Sequence, residues 1–258
     1  VQVFSTNFVL YADMSMRMKG LLSRFTPKLE DYSIDEAFLD FSGVDLSTLN
    51  EYGLDVVRTV TQGTGVPVSL GIAPTKTLAK LANRFAKKYP GYQNVCVIDT
   101  DEKRIKALRL TDVSDIWGIG RRSSQKLKDR GVNTAYDFPQ LSRSWVRKHM
   151  TVIGEGTWCE LLGEPCIEVE AIAPDKQSIM VSRSFGKMLD DLEVIKEAAA
   201  SYTSMAAAKL RKQRGCAKSI LVFLETNPFR DDLPQYRNHV IVNMPVATNS
   251  SIEIIKYM

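Results

Sequence analysis

Histidine and cysteine are scarce. The only histidines are His149 and His239, and the four cysteines, Cys96, Cys159, Cys166 and Cys216, include no pair at CxxC spacing. Zinc centres need clustered thiolates and imidazoles, so this sparse set argues against one, and reduced structural thiols are expected. Long apolar runs are missing as well. None approaches the roughly twenty residues of a membrane helix, and the first residues lack the order of a signal peptide, so a soluble cytoplasmic protein is expected. There is no initiator methionine and no helical period over Val1 to Phe8, which predicts an internal piece of a longer gene product. Acidic residues are absent from two long stretches. Pro74 to Ile98 carries Lys76, Lys80, Arg84, Lys87 and Lys88, and Ser201 to Phe223 carries Lys209, Arg211, Lys212, Arg214 and Lys218. Although the net charge is only +4, two such one-sign segments point to a polyanion, most simply nucleic acid; solvated helix faces are the plainer alternative.

With 258 residues, 44% of them hydrophobic, the chain can build two or three cores. Its chemistry centres on Tyr32-Ser33-Ile34-Asp35-Glu36-Ala37-Phe38-Leu39-Asp40. Here Asp35 and Glu36 interrupt two short strand-like runs, Leu29 to Ile34 and Ala37 to Phe41. Carboxylates among apolar residues require a compensating cation or hydrogen bonds. Mg²⁺ is one such cation, held by one or two carboxylates with water and substrate phosphates completing its shell. Phosphoryl transfer is therefore one reading of the pair, and a solvated turn is the other.

Periodicity supplies the frame. Leu10, Met14, Met18, Leu21, Leu22 and Phe25 mark a helix ended by Pro27. A second helix spans Asp45 to Gln62, stopped by Gly63-Thr64-Gly65, and Val66 to Ala73 is strand-like. A third helix runs from near Thr75 to Lys88, with Leu78, Leu81, Ala82 and Phe85 inward and Lys76, Lys80, Arg84 and Lys87 on the opposite face. Asn94 to Ile98 is another strand. This order predicts helices on a mixed, mostly antiparallel sheet.

A short helix over Glu102 to Leu110 precedes Ile116-Trp117-Gly118-Ile119-Gly120 and a basic helix carrying Leu127, stopped by Gly131. The arrangement has the form of a helix-hairpin-helix, in which glycines let backbone N–H groups approach a phosphate while Arg121 and Arg122 add charge. Asp137 to Leu162 is helical, with Trp145, Val146 and Trp158 expected in the core. The stretch from Glu164 to Lys176 reads as a linker. Beyond Ser178 a strand (Ile179 to Lys187), a long helix (Asp191 to Gln213), two strands (Ser219 to Thr226, His239 to Met244) and a helix near Asn249 make an incomplete βαββα unit. The fold class expected is α+β and multidomain.

Ser33-Ile34-Asp35-Glu36-Ala37-Phe38-Leu39-Asp40 resembles the palm motif of Y-family translesion DNA polymerases. The similarity continues through Gly71-Ile72-Ala73-Pro74-Thr75-Lys76-Thr77-Leu78-Ala79-Lys80-Leu81-Ala82-Asn83 and Asp115-Ile116-Trp117-Gly118-Ile119-Gly120-Arg121-Arg122. Together with Gly163-Glu164-Pro165-Cys166 and Ser182-Arg183-Ser184-Phe185-Gly186, it is most like the UmuC branch. The resemblance implies a palm at 1-100, an all-α thumb at 101-164, a linker at 165-177 and a little finger at 178-258, incomplete at its C-terminal end.

It further implies that Asp35 and Glu36 are catalytic carboxylates holding two Mg²⁺ ions, that Lys87 contacts the incoming triphosphate, with Lys88 the alternative, and that Gly118, Ile119, Gly120, Arg121, Arg122, Arg183 and Ser184 touch DNA. Primed, damaged DNA and deoxynucleoside triphosphates are the implied substrates of error-prone synthesis in a bacterial SOS response. A processed UmuD dimer, a RecA filament and a sliding clamp are the implied partners. The family's Asp-x-Asn-x-Phe-Tyr motif, which bears its first catalytic aspartate, is not found here, nor are the fingers. The chain by itself is thus expected to be inactive. A non-catalytic module binding damaged DNA is the alternative function.

Overall fold

The computed structural model describes every residue except 1, 5, 173 and 231. The chain divides into two compact units, residues 1–173 and 174–258.

In the first unit, α1 (Phe8–Leu22) starts where the Asn7 side chain accepts the Leu10 N–H at 3.1 Å, a cap for donors that the helix leaves unpaired. Strands β1 (Leu29–Asp31) and β2 (Ala37–Leu39) pair antiparallel, Leu29 opposite Leu39 and Asp31 opposite Ala37. The expected pair is present, and residues 32–36 form its connection, with Asp35 and Glu36 in it. Helix α2 (Leu49–Thr64) ends at Gly65, whose φ of 72° is a left-handed conformation that suits glycine. Leu22 of α1, Val56 and Val60 of α2, and Leu29, Ala37 and Leu39 of the strand pair share one small core.

Strands β3 (Leu70–Ile72) and β4 (Val95–Val97) are parallel, joined over α3 (Lys76–Lys88). The ladder that Val66 to Ala73 was expected to make is confined to Leu70–Ile72. Gly71 explains how tightly α3 lies on β3. A Cβ there would stand 2.1 Å from the backbone N of Asn83 and 2.2 Å from the carbonyl O of Ala79, so only glycine fits. The four expected apolar residues of α3 are all buried. They join one core with residues of α4 (Asp101–Arg109), α5 (Arg121–Lys128) and α6 (Arg143–Leu161). That core contains residues on both sides of position 100. Helix α6 is broken at Thr151, where φ is 64° and ψ is −170°. Val146 is fully buried, and Trp145 and Trp158 pack against the same core.

The second unit contains α7 (Leu192–Lys212), β5 (Ala217–Glu225), β6 (Arg237–Thr248) and α8 (Ser251–Ile255). Strands β5 and β6 are antiparallel, Ile220 opposite Val242, and Ala207, Met244 and Ile254 form the core. The strand expected over Ile179 to Lys187 is not formed; these residues have no ladder partner among the described residues. The α+β class holds, with helices and, among the described residues, three two-stranded sheets, two antiparallel and one parallel.

Candidate active-site cleft

The connection between β1 and β2 is held from three directions. Inside it, the Ser33 N–H donates to the Glu36 carbonyl at 3.0 Å, and the Ser33 hydroxyl donates to an Asp35 carboxylate oxygen at 2.8 Å. From α1, the Lys19 ammonium donates to the Ser33 carbonyl at 2.6 Å and pairs with Asp31. From α3, Lys80 Nζ lies 2.6 Å from Glu36 Oε1. The same helix places Lys76 against Glu30, a nearly buried pair. A charge so far from water is stable only when paired, which corrects the expectation that Lys76 stands on an open face.

Aromatic rings close one side. Tyr32, Phe38 and Trp117 meet pairwise with centroids 5.3 to 5.7 Å apart, and the Trp117 indole N–H donates to the Tyr32 hydroxyl at 2.9 Å. Lys80 Nζ is 5.0 Å from the Tyr32 ring centroid and Lys76 Nζ 4.8 Å from that of Phe38, distances at which a cation is attracted to the ring face. Beside these rings opens a cleft of about 470 Å³, lined by Glu36, Thr77, Lys80, Arg84, Lys87 and Trp117 among others. Lys87 and Lys88 both reach it. Arg84 pairs with Asp115 at 2.6 Å, tying α3 to the residues before the hairpin.

The hairpin itself is Ile116 to Gly120. The helix expected before it is present as α4; a 3-10 turn, Val113–Asp115, leads into the hairpin, and α5 follows. Gly118 has φ +89°, and a Cβ there would meet Thr157 Oγ1 at 3.0 Å. No side chain caps α5 at Gly120, so the first-turn N–H groups of α5, beside Arg121 and Arg122, are donors of the kind a phosphate can use. Ile119 fastens the hairpin to the core. Its side chain is buried, as is that of Ile116, and its N–H donates to the Ile116 carbonyl at 3.0 Å. Asp112 accepts hydrogen bonds from the Ser114 hydroxyl and N–H and from Lys128. These, led by the Ser114 hydroxyl, lower its pKa to about 2. Arg183 and Ser184 are exposed in the second unit.

Periodicity missed one residue that positions the cleft. Glu160, at the end of α6, is fully buried. Its carboxylate accepts the Thr77 N–H at 2.8 Å, in the first turn of α3, and the Cys166 and Ile167 N–H groups at 2.9 and 3.1 Å. A lone acid among apolar residues was its only local signal.

Among the described residues no three His, Cys, Asp or Glu side chains gather as a metal site. Of the two adjacent acids of the turn, Glu36 lines the cleft and Asp35 is not among its lining residues; a carboxylate so placed suits a hard cation that completes its shell with water and phosphate oxygens. The ammonium of Lys80 at Glu36 shows that a cation is accommodated at this point of the cleft.

Comparison with known proteins agrees with this architecture. The profile of the impB/mucB/samB family matches residues 1–84, and that of the impB/mucB/samB family C-terminal domain matches residues 176–258. Protein UmuC of Salmonella typhimurium is 43% identical over 99% of this chain and 61% of its own length. A DNA polymerase IV of Ectopseudomonas mendocina is 28% identical over 74% of this chain and 53% of its own. The chain thus spans about three fifths of the length of the UmuC protein it matches. Among solved structures, a Y-family DNA polymerase chimera superposes with TM-score 0.71 at 21% identity, over 97% of this chain and 69% of its own, a likeness of fold. Both ends of the chain match one family in order, and this protein belongs to the impB/mucB/samB family.

Proposed function

We propose that this chain is the palm remainder (1-100), thumb (101-164), linker (165-177) and partial little finger (178-258) of an error-prone translesion DNA polymerase. The observation that carries the reading is the cleft that brings Glu36 together with Lys80, Arg84 and Lys87. A carboxylate beside a row of cations suits a substrate that is both metal-bound and polyanionic. Asp35 and Glu36 would hold Mg²⁺, which supplies charge neutralisation for the attacking and leaving oxygens of a nucleotidyl transfer. Lys87 and Lys88, exposed on the cleft wall, would bind the triphosphate as point charges. Ser33 and Lys19 orient the acidic turn. Gly118, Gly120 and the first turn of α5, with Arg121 and Arg122, would grip backbone phosphates without reading bases, as damaged templates require. Arg183 and Ser184 would add phosphate contacts from the second unit.

The relatives' names support the polymerase reading, and the substrates follow from it: primed, damaged DNA and deoxynucleoside triphosphates. Processed UmuD, a RecA filament and a sliding clamp, acting in a bacterial SOS response, are the partners that go with it. In the intact protein, Asp35→Ala or Glu36→Ala is expected to abolish nucleotide incorporation on a primed template while leaving DNA affinity nearly unchanged. Retained incorporation by both variants would overturn the assignment.

A further inference from the structure

Lys80 pairs across the cleft with Glu36 of the acidic turn, as Arg84 pairs with Asp115 farther along the same lining. Its ammonium is 2.6 Å from Glu36, and the two side chains are one-fifth and one-third exposed. In the same position the ammonium also lies 5.0 Å from the Tyr32 ring centroid. The neighbouring carboxylate is treated differently: Asp35 is bound by the Ser33 hydroxyl and has no ammonium or guanidinium within ion-pair distance among the described residues. The two adjacent acids would repel each other if both faced the cleft uncompensated, and one lysine relieves that repulsion.

We propose that Lys80 is a positioning residue that holds Glu36 as a resident counter-cation and gives it up to an incoming divalent ion. The inference rests on the reading of Asp35 and Glu36 as a cation site and adds a competitor to it. The exchange is forced by like charge, because a divalent ion on Glu36 repels an ammonium at hydrogen-bond distance. The Tyr32 ring, which the ammonium already contacts, still holds Lys80 at the cleft once Glu36 is taken by the ion. Before exchange the pair keeps Glu36 directed into the cleft. No bond is made or broken, and no proton moves.

The exchange predicts that Lys80 weakens divalent-ion binding although it helps to arrange the site. A simple structural lysine would do the opposite, since its loss would disorder Glu36 and loosen the ion. Mn²⁺ serves as the probe, with the free ion counted by electron paramagnetic resonance during titration of this chain, of Lys80→Met, Lys80→Gln and Lys80→Arg, and of Glu36→Gln alone and combined with Lys80→Met. Removing the charge is expected to tighten Mn²⁺ about two- to fivefold, the weight of a partly exposed ion pair. Lys80→Arg should stay close to the unaltered chain, and the gain should vanish on the Glu36→Gln background.

Unchanged or weaker Mn²⁺ binding in both neutral variants, with binding still lost in Glu36→Gln, overturns the exchange and leaves the cation site standing. Mn²⁺ binding indifferent to Glu36→Gln overturns the cation site and the exchange together.

Discussion

Replacing Glu160 by glutamine removes a charge and almost no volume, so its effect isolates hydrogen bonding. The carboxylate is fully buried and accepts three backbone N–H groups, one through one oxygen and two through the other. An amide has one acceptor oxygen and one donor NH₂. In one orientation it abandons the Thr77 N–H, and in the other it abandons those of Cys166 and Ile167. A buried donor left without a partner costs about 1–3 kcal/mol, and bonds to a neutral oxygen are weaker than those to a carboxylate. The expected loss is about 2–4 kcal/mol, a large share of a typical domain's stability. Urea unfolding followed by tryptophan fluorescence reports it directly, because all three tryptophans, Trp117, Trp145 and Trp158, lie in the first unit. With a slope of about 2 kcal/mol per M, the midpoint should fall by roughly 1–2 M. A shift below about 0.3 M would refute the claim that Glu160 is an indispensable acceptor binding α6 to the start of α3.

Gly71→Ala should destabilise the same unit by about 3 kcal/mol or more in the same assay, because the new methyl meets backbone of α3 that cannot move aside by itself; an unchanged midpoint would mean that α3 lifts freely. Asp112, depressed from 3.8 to about 2, binds a proton more readily when unfolded, so its contribution is present above about pH 4 and is lost as the pH falls toward 2. Asp112→Asn should therefore make the acid limb of the urea-midpoint profile shallower, and identical profiles would remove the residue from that limb.

Local pattern carried much of the frame. The stripe Leu78, Leu81, Ala82 and Phe85 is buried as a 3.6-residue period requires, and Gly65 and Gly131, at φ 72° and 79°, stop their helices where expected. Strands were less legible, because a ladder needs a partner that lies elsewhere in the chain. Val66 to Ala73 pairs only over Leu70–Ile72, where Val95–Val97 runs beside it, and Ile179 to Lys187 has strand composition without a ladder. The acidic turn was visible because its carboxylates interrupt apolar residues. Its supports were not, since Lys19, Lys80 and Trp117 reach it from 12 to 85 positions away and leave no mark near it.

The same distance effect changes what the basic stretch around α3 means. Five cations without an acid from Pro74 to Ile98 read as a footprint for a polyanion, yet Lys76, Lys80 and Arg84 are neutralised by Glu30, Glu36 and Asp115 within the fold. Lys87 and Lys88 have no carboxylate within ion-pair distance among the described residues. Of the five charges, only these two are exposed and uncommitted at the cleft. One-sign runs overstate the charge available to a ligand when a neighbouring segment carries the opposite sign at matching depth. The turn that bears Glu36, with Glu30 before it, is such a segment. On the proposed reading, the pull of the cleft on a triphosphate starts from these two lysines, and the proposed exchange would free a third, Lys80, when a cation takes Glu36.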